Sequence, residues 1–202
     1  VIDDYRKAAR NAREAGFDAI ELHCASGYLP AQFLASGSNR RDDEYGGTLP
    51  NRLRFVRELL TALSNEVGVG RIGLRISPGN PYNDHVDSDP AATYGALLSI
   101  ANDLGLAWVH AIRMASTGID SLALTREHFS GALIGSDSFT AGEADTFIAE
   151  TRVDAVSFGR AYIANPDLVE RFELGADLNE MDKKTIYGGS GTAGFTDYPT
   201  LT

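Results

Sequence analysis

The sequence predicts an α/β fold, part of a (β/α)8 barrel of the TIM type. Three observations predict it. Short apolar strands alternate with amphipathic helices along the chain, which implies a parallel sheet. Within the strands the two faces differ. Ile72, Leu74 and Ile76 share one face, and Arg71, Gly73 and Arg75 the other; likewise Val156 and Phe158 oppose Ala155, Ser157 and Gly159. One bulky face and one small or charged face suit a barrel wall better than a doubly wound sheet, which is helix-covered on both sides. Finally, strands begin near residues 17, 71, 107, 132 and 153, so the 202 residues hold five units. A complete barrel takes about 250 residues.

The elements follow in order. A helix over 6–15 stops at Gly16, and 17–23 is the first strand. Leu53, Val56, Leu59, Leu60 and Leu63 recur at three and four residues, predicting a helix over 51–67. The second strand, 71–76, ends at Ser77-Pro78-Gly79. Asp89-Pro90 opens a helix to about Leu104, and 107–112 is the third strand. Thr125 caps a short helix ending near Phe129, before a fourth strand at 132–135. Thr140 and Glu143 fit a capping box whose helix runs to about Thr151. The fifth strand is 153–159, the last helix 168–174, and Gly188-Gly189-Ser190-Gly191 starts a loop-like tail. The whole chain reads as a single partial barrel domain.

Composition removes several classes. With 43% hydrophobic and 23% charged residues the chain is an ordinary globular sequence. Eighteen basic against 28 acidic residues give a net charge of −10, which repels nucleic-acid backbones and anionic lipid. No apolar run approaches the length of a bilayer span, and the charged start lacks a secretory h-region. One cysteine makes neither an internal disulfide nor a zinc cluster, so no metal site is expected and a cytoplasmic, reducing setting is the default. The chain opens without methionine and inside a helix, so an upstream portion is expected.

Barrel chemistry sits at the carboxyl ends of strands, and three ends here are polar. The first is His23-Cys24-Ala25-Ser26-Gly27-Tyr28. It places an imidazole donor and a phenolic acid on one rim, or else a satisfied histidine and a packing tyrosine. Arg75 is the last inward residue of the second strand. It needs an anionic or accepting partner, either a ligand or a salt bridge such as one to Glu21. Gly159-Arg160 ends the fifth strand, where a backbone open to close approach and a guanidinium suit a phosphate; a plain turn is the other reading. Cys24 neighbours His23 but points to the opposite face, so a Cys–His couple is not expected. The mixed-charge loop around Arg40-Arg41-Asp42-Asp43 reads as solvated and self-paired.

The residues also resemble a known family. Glu21-Leu22-His23, Gly27-Tyr28-Leu29, Gln32-Phe33-Leu34, Asn39-Arg40-Arg41, Asp43-Glu44-Tyr45-Gly46-Gly47 and Asn51-Arg52-Leu53-Arg54-Phe55 are similar to the central segment of the old yellow enzymes, FMN-dependent ene-reductases. Leu74-Arg75-Ile76-Ser77-Pro78, Phe158-Gly159-Arg160, Asn165-Pro166-Asp167-Leu168, Tyr187-Gly188-Gly189 and Thr196-Asp197-Tyr198-Pro199 continue the match in family order. The resemblance implies strands four to eight of a flavoprotein barrel, with NAD(P)H as reductant and an α,β-unsaturated carbonyl compound as substrate. By position it implies His23 on the substrate oxygen and Tyr28 as proton donor. Arg75 falls by the flavin pyrimidine edge, Gly159 and Arg160 at the FMN phosphate, and Tyr187 near the substrate mouth.

Three departures stand out. Ser26 replaces the family's second histidine or asparagine donor. Asp137-Ser138 replaces a Gly-Gly pair at the phosphate, leaving Ser138 to contact it and Asp137 to oppose it. Strands one to three have no counterpart. Two further readings stay open. A truncated, non-catalytic remnant would associate through its open barrel edges, giving oligomers. A sugar-phosphate lyase or isomerase ranks last, because no strand ends in lysine.

Overall fold

The computed structural model describes residues 1–187 and 191–201. Helix α1 (Ile2–Glu14) leads to β1 (Ile20–Cys24), then α2 (Leu29–Leu34) and α3 (Leu49–Val67). Strand β2 (Ile72–Ile76), α4 (Pro90–Leu104), β3 (Trp108–Ile112), α5 (Ser121–His128) and β4 (Ala132–Ser136) follow. The described chain continues with α6 (Ala141–Ala149), β5 (Ala155–Ser157), α7 (Arg160–Ala164) and α8 (Leu168–Leu174). The five strands pair in sequence order, all parallel. Consecutive order puts every crossover helix on one side of the sheet, as in a barrel wall.

Register separates the two faces. Leu22, Ile72, Leu74, Ile76, Val109, Ala111 and Leu133 point outward and are buried beneath Leu59 and Leu60 of α3 and Leu97 and Leu98 of α4. Each such aliphatic side chain contributes about 1.5–3 kcal/mol of burial. The opposite face forms three layers. Glu21, Gly73, Trp108 and Ala132 make a floor; His23, Arg75, His110, Ile134 and Ala155 lie above it; Ile112, Ser136 and Ser157 lie at the rim.

Local chemistry explains the boundaries. Asp89 caps α4 by accepting from Ala92 N–H, with Pro90 in the first turn and left-handed Gly105 closing the helix. The Thr140–Glu143 capping box opens α6 as the sequence predicts. Elsewhere the expectations are corrected. Helix α1 starts at Ile2 rather than residue 6. Asp120, not Thr125, caps α5, accepting from Leu122 and Ala123 N–H, while Thr125 is buried and donates back to the Ser121 carbonyl. Strand β5 pairs only over Ala155–Ser157, so residues 158–159 leave the sheet. Helix α2 is unannounced, because six residues are too few to show a period. The predicted glycine tail falls largely at 188–190, outside the described residues. Among the described residues no helix is long and apolar enough to cross a membrane.

Candidate active site

A cavity of about 660 Å³ opens at the carboxyl ends of the strands. Ser26, Tyr28, Arg75, Ser138, Gly159, Arg160 and Tyr187 all line it, together with Asn80, Tyr82, Ser136 and Asp137. His23 stands beside it, its ring 4.8 Å from that of Tyr28.

The first rim loop is built by its backbone. Ser26 (φ 54°) and Gly27 (φ 71°) are consecutive left-handed residues inside a turn closed by Tyr28 N–H donating to the Ala25 carbonyl at 3.1 Å. A side chain at Gly27 would lie 2.6 Å from the Tyr82 carbonyl, so glycine also lets the 80–85 loop approach. Five of the six described non-glycine residues with positive φ, Ser26, Asn83, Asp84, Asp137 and Ser138, belong to these rim loops. Backbone strain thus concentrates at the cavity.

Arg75 is half-buried, and among the described residues no carboxylate pairs with it directly, so the salt bridge to Glu21 offered as one of its two readings is not formed. His110 stands between: its Nδ1 is 3.0 Å from Glu21 Oε1, and Arg75 Nη1 lies 2.5 Å from Nε2. A carboxylate only accepts, so the Nδ1 proton faces Glu21 and Nε2 accepts from Arg75 or from the Ser157 hydroxyl, 2.7 Å away. Arg75 Nη2 also donates to Ser136 Oγ at 3.3 Å. Burial pulls the Arg75 pKa down, opposed by the charges of Glu21 and Asp137. Burial, then the Arg75 charge, lower the His23 pKa against the pull of Glu21, so His23 is neutral at neutral pH and keeps one N–H to donate.

At the far end Arg160 is exposed and ion-paired with the Asp137 carboxylate; its Nη2 is also 3.4 Å from Ser138 Oγ. Arg113 holds this loop from below, donating to the Asp137 and Ser138 carbonyls while its guanidinium lies 3.6 Å over the Phe139 ring. Tyr187 is fully exposed at the mouth. Cys24 is fully buried on the outer face, and burial pushes its thiol pKa far up, which excludes a Cys–His couple. In the charged loop Arg41 pairs with Asp43, as self-pairing predicts.

Sequence reading missed His110, Asn80 and Arg113. His110 lies on the same inward parity as Trp108 and Ile112, which was a usable signal. Arg113, the residue just past a strand end, offered a weaker one.

These side chains fit a flavin mononucleotide. Arg75 is a half-buried cation whose described partners are an imidazole and a hydroxyl, leaving its charge free to face an electron-rich ring edge. Arg160, Ser138 and Gly159 line the far end of the cavity and would be the residues to hold its phosphate, where Asp137 already pairs with the same guanidinium.

Fold and mouth together define a partial parallel α/β barrel with a polar cavity at the carboxyl ends of its strands. Comparison supplies the family: residues 1–179 match the NADH:flavin oxidoreductase / NADH oxidase family, and the chain belongs to it. This is the old yellow enzyme family that the motifs resemble. The chain is 40% identical over 208 residues to 12-oxophytodienoate reductase 2 of Arabidopsis thaliana, covering all of this chain and 56% of that protein. It is 42% identical to a putative 12-oxophytodienoate reductase 5 of Oryza sativa subsp. japonica, again over 56% of it. The structure of morphinone reductase in complex with tetrahydroNAD superposes with a TM-score of 0.93 at 43% identity, over all of this chain and 55% of that one. The chain therefore spans about half the length of the relatives it matches.

Proposed function

We propose that the protein is an FMN-dependent ene-reductase that uses NADH or NADPH to reduce the C=C bond of α,β-unsaturated carbonyl compounds. The observation that carries this reading is the convergence of Ser26, Tyr28, Arg75 and Arg160 on one cavity, with His23 against Tyr28. FMN, when bound, would supply the hydride that the substrate β-carbon takes up, with the nicotinamide as its reductant. The neutral His23 N–H and the Ser26 hydroxyl donate to the carbonyl oxygen and stabilise the enolate charge that builds there. Tyr28 gives its phenolic proton to the α-carbon, completing addition of one hydride and one proton across the double bond. Arg75 offsets negative charge at the ring edge, Arg160, Ser138 and Gly159 hold the phosphate, and Tyr187 borders the substrate entrance.

The test is the visible spectrum of the purified full-length protein. The expected result is a flavin band that bleaches with NADPH under nitrogen and returns on adding 2-cyclohexenone. Colourless protein, or a band that the enone leaves bleached, sinks the reading.

A second reading concerns the 202 residues alone. Strands β1 and β5 each have one neighbour, and inner-face residues such as Glu21 and Ala155 are exposed. Such a chain by itself associates through its sheet edges. Sedimentation of this polypeptide should show oligomers with weak flavin binding; a monomer holding stoichiometric FMN refutes it.

A further inference from the structure

We propose that Asn80 is a positioning residue that turns the Ser26 hydroxyl into a donor to the substrate oxygen; this rests on the carbonyl-reduction reading above. Asn80 sits in the loop after β2, in the cavity wall, with only 5% of its surface exposed. Its amide has one possible orientation. Oδ1 accepts the Tyr82 backbone N–H at 3.0 Å, a position where an NH2 group would face another donor. Nδ2 therefore points the other way, and it donates to Ser26 Oγ at 3.3 Å. The loop is fixed behind it: the Asn80 N–H donates to the Ser77 carbonyl at 3.2 Å, and His85 Nδ1 lies 3.3 Å from the Asn80 carbonyl.

The direction of that bond decides the role of the serine. A hydroxyl that accepts from an amide keeps its own proton for another acceptor. Among the described residues no protein atom takes that proton, and Ser26 borders the cavity. The left-handed backbone of Ser26 is pinned as well. Its N–H donates to Ser77 Oγ at 2.7 Å and its carbonyl accepts from Asn83 Nδ2 at 2.9 Å. What remains free is the hydroxyl proton, aimed by elimination at a ligand oxygen. A carboxylate at position 80 would reverse this. It would still accept from Tyr82 N–H, but it would also accept the Ser26 proton and draw it away from the cavity.

The experiment is a double-mutant cycle on the full-length holoenzyme. It reads both the KM for 2-cyclohexenone and the equilibrium binding of cyclohexanone, which cannot be reduced. The variants are Asn80→Asp, Asn80→Ala, Ser26→Gly and the two combinations; glycine suits the positive φ at 26 while removing the hydroxyl. Asn80→Asp and Asn80→Ala are each expected to weaken cyclohexanone binding about tenfold with Ser26 present and less than about twofold with glycine at 26. Equal losses in both backgrounds, or no loss in either, overturn the proposal, since they make Asn80 a structural residue only. His23→Ala separates this from the parent reading. If it leaves cyclohexanone binding unchanged, the carbonyl site is elsewhere and both claims fall.

Discussion

The indole N–H of Trp108 donates to Glu21 Oε1 at 2.8 Å, across a floor that stays open only because position 73 has no side chain. A Cβ there would lie 1.9–2.4 Å from the Trp108 ring. Gly73→Ala should therefore cost about 1–3 kcal/mol by overpacking, read as a lowered urea midpoint at unchanged slope. Shortening the ring in Gly73→Ala/Trp108→Leu should recover part of it. An unchanged midpoint in the single variant would show the floor to be looser than described.

Glu21 also sets a pH dependence. Burial alone raises its carboxyl, yet hydrogen bonds from His110 and Trp108 and the charge of Arg75 bring it below the usual 4.5. The folded chain then binds that proton more weakly than the unfolded chain. Its stabilisation is complete above about 4.5 and is lost as pH falls through the lowered folded value. Denaturation of wild type against Glu21→Gln should show a gap that is constant near neutrality and closes in that acid window. A gap that widens with acid contradicts the assignment.

Asp137 holds the guanidinium that the phosphate reading needs. Asp137→Gly removes that carboxylate and suits the left-handed φ of 77°. FMN should bind the apoprotein about tenfold more tightly, while Arg160→Ala should weaken it by a similar factor. Quenching of flavin fluorescence measures both. Weaker binding in Asp137→Gly would mean that the carboxylate helps the ligand.

Tyr28→Phe keeps the ring against His23 and removes the proton. Reoxidation of the reduced flavin by enone should slow by about 10²–10⁴, with flavin reduction by NADPH at its wild-type rate. Stopped-flow absorbance separates the two half-reactions; an unchanged reoxidation rate assigns the proton to another donor.

Much of the fold was legible because alternation within a strand is a direct record of sidedness: Ile72, Leu74 and Ile76 against Gly73 and Arg75 held, although Arg71 falls in a 3-10 turn before the strand. Ends were less legible. Phe158 continues the apolar alternation of the fifth strand, but pairing needs a neighbour, and β4 ends at Ser136 opposite Ser157. Thr125 and Asp120 are both cap formers; only the packing of Thr125 against the Ser121 carbonyl decides between them. Within the site, His23, Tyr28, Arg75 and Arg160 lay at strand ends and could be marked in one dimension. His110 and Asn80 act across 35 and 54 residues, on Arg75 and Ser26, and such pairings exist only once the strands are in register.

The alternation that turns His23 to the cavity turns Cys24 beneath the helices, and it is the chain's one thiol. A thiol-specific dye added to these 202 residues therefore labels them only when the outer layer opens. Its labelling rate reads the opening of that layer without any engineered probe.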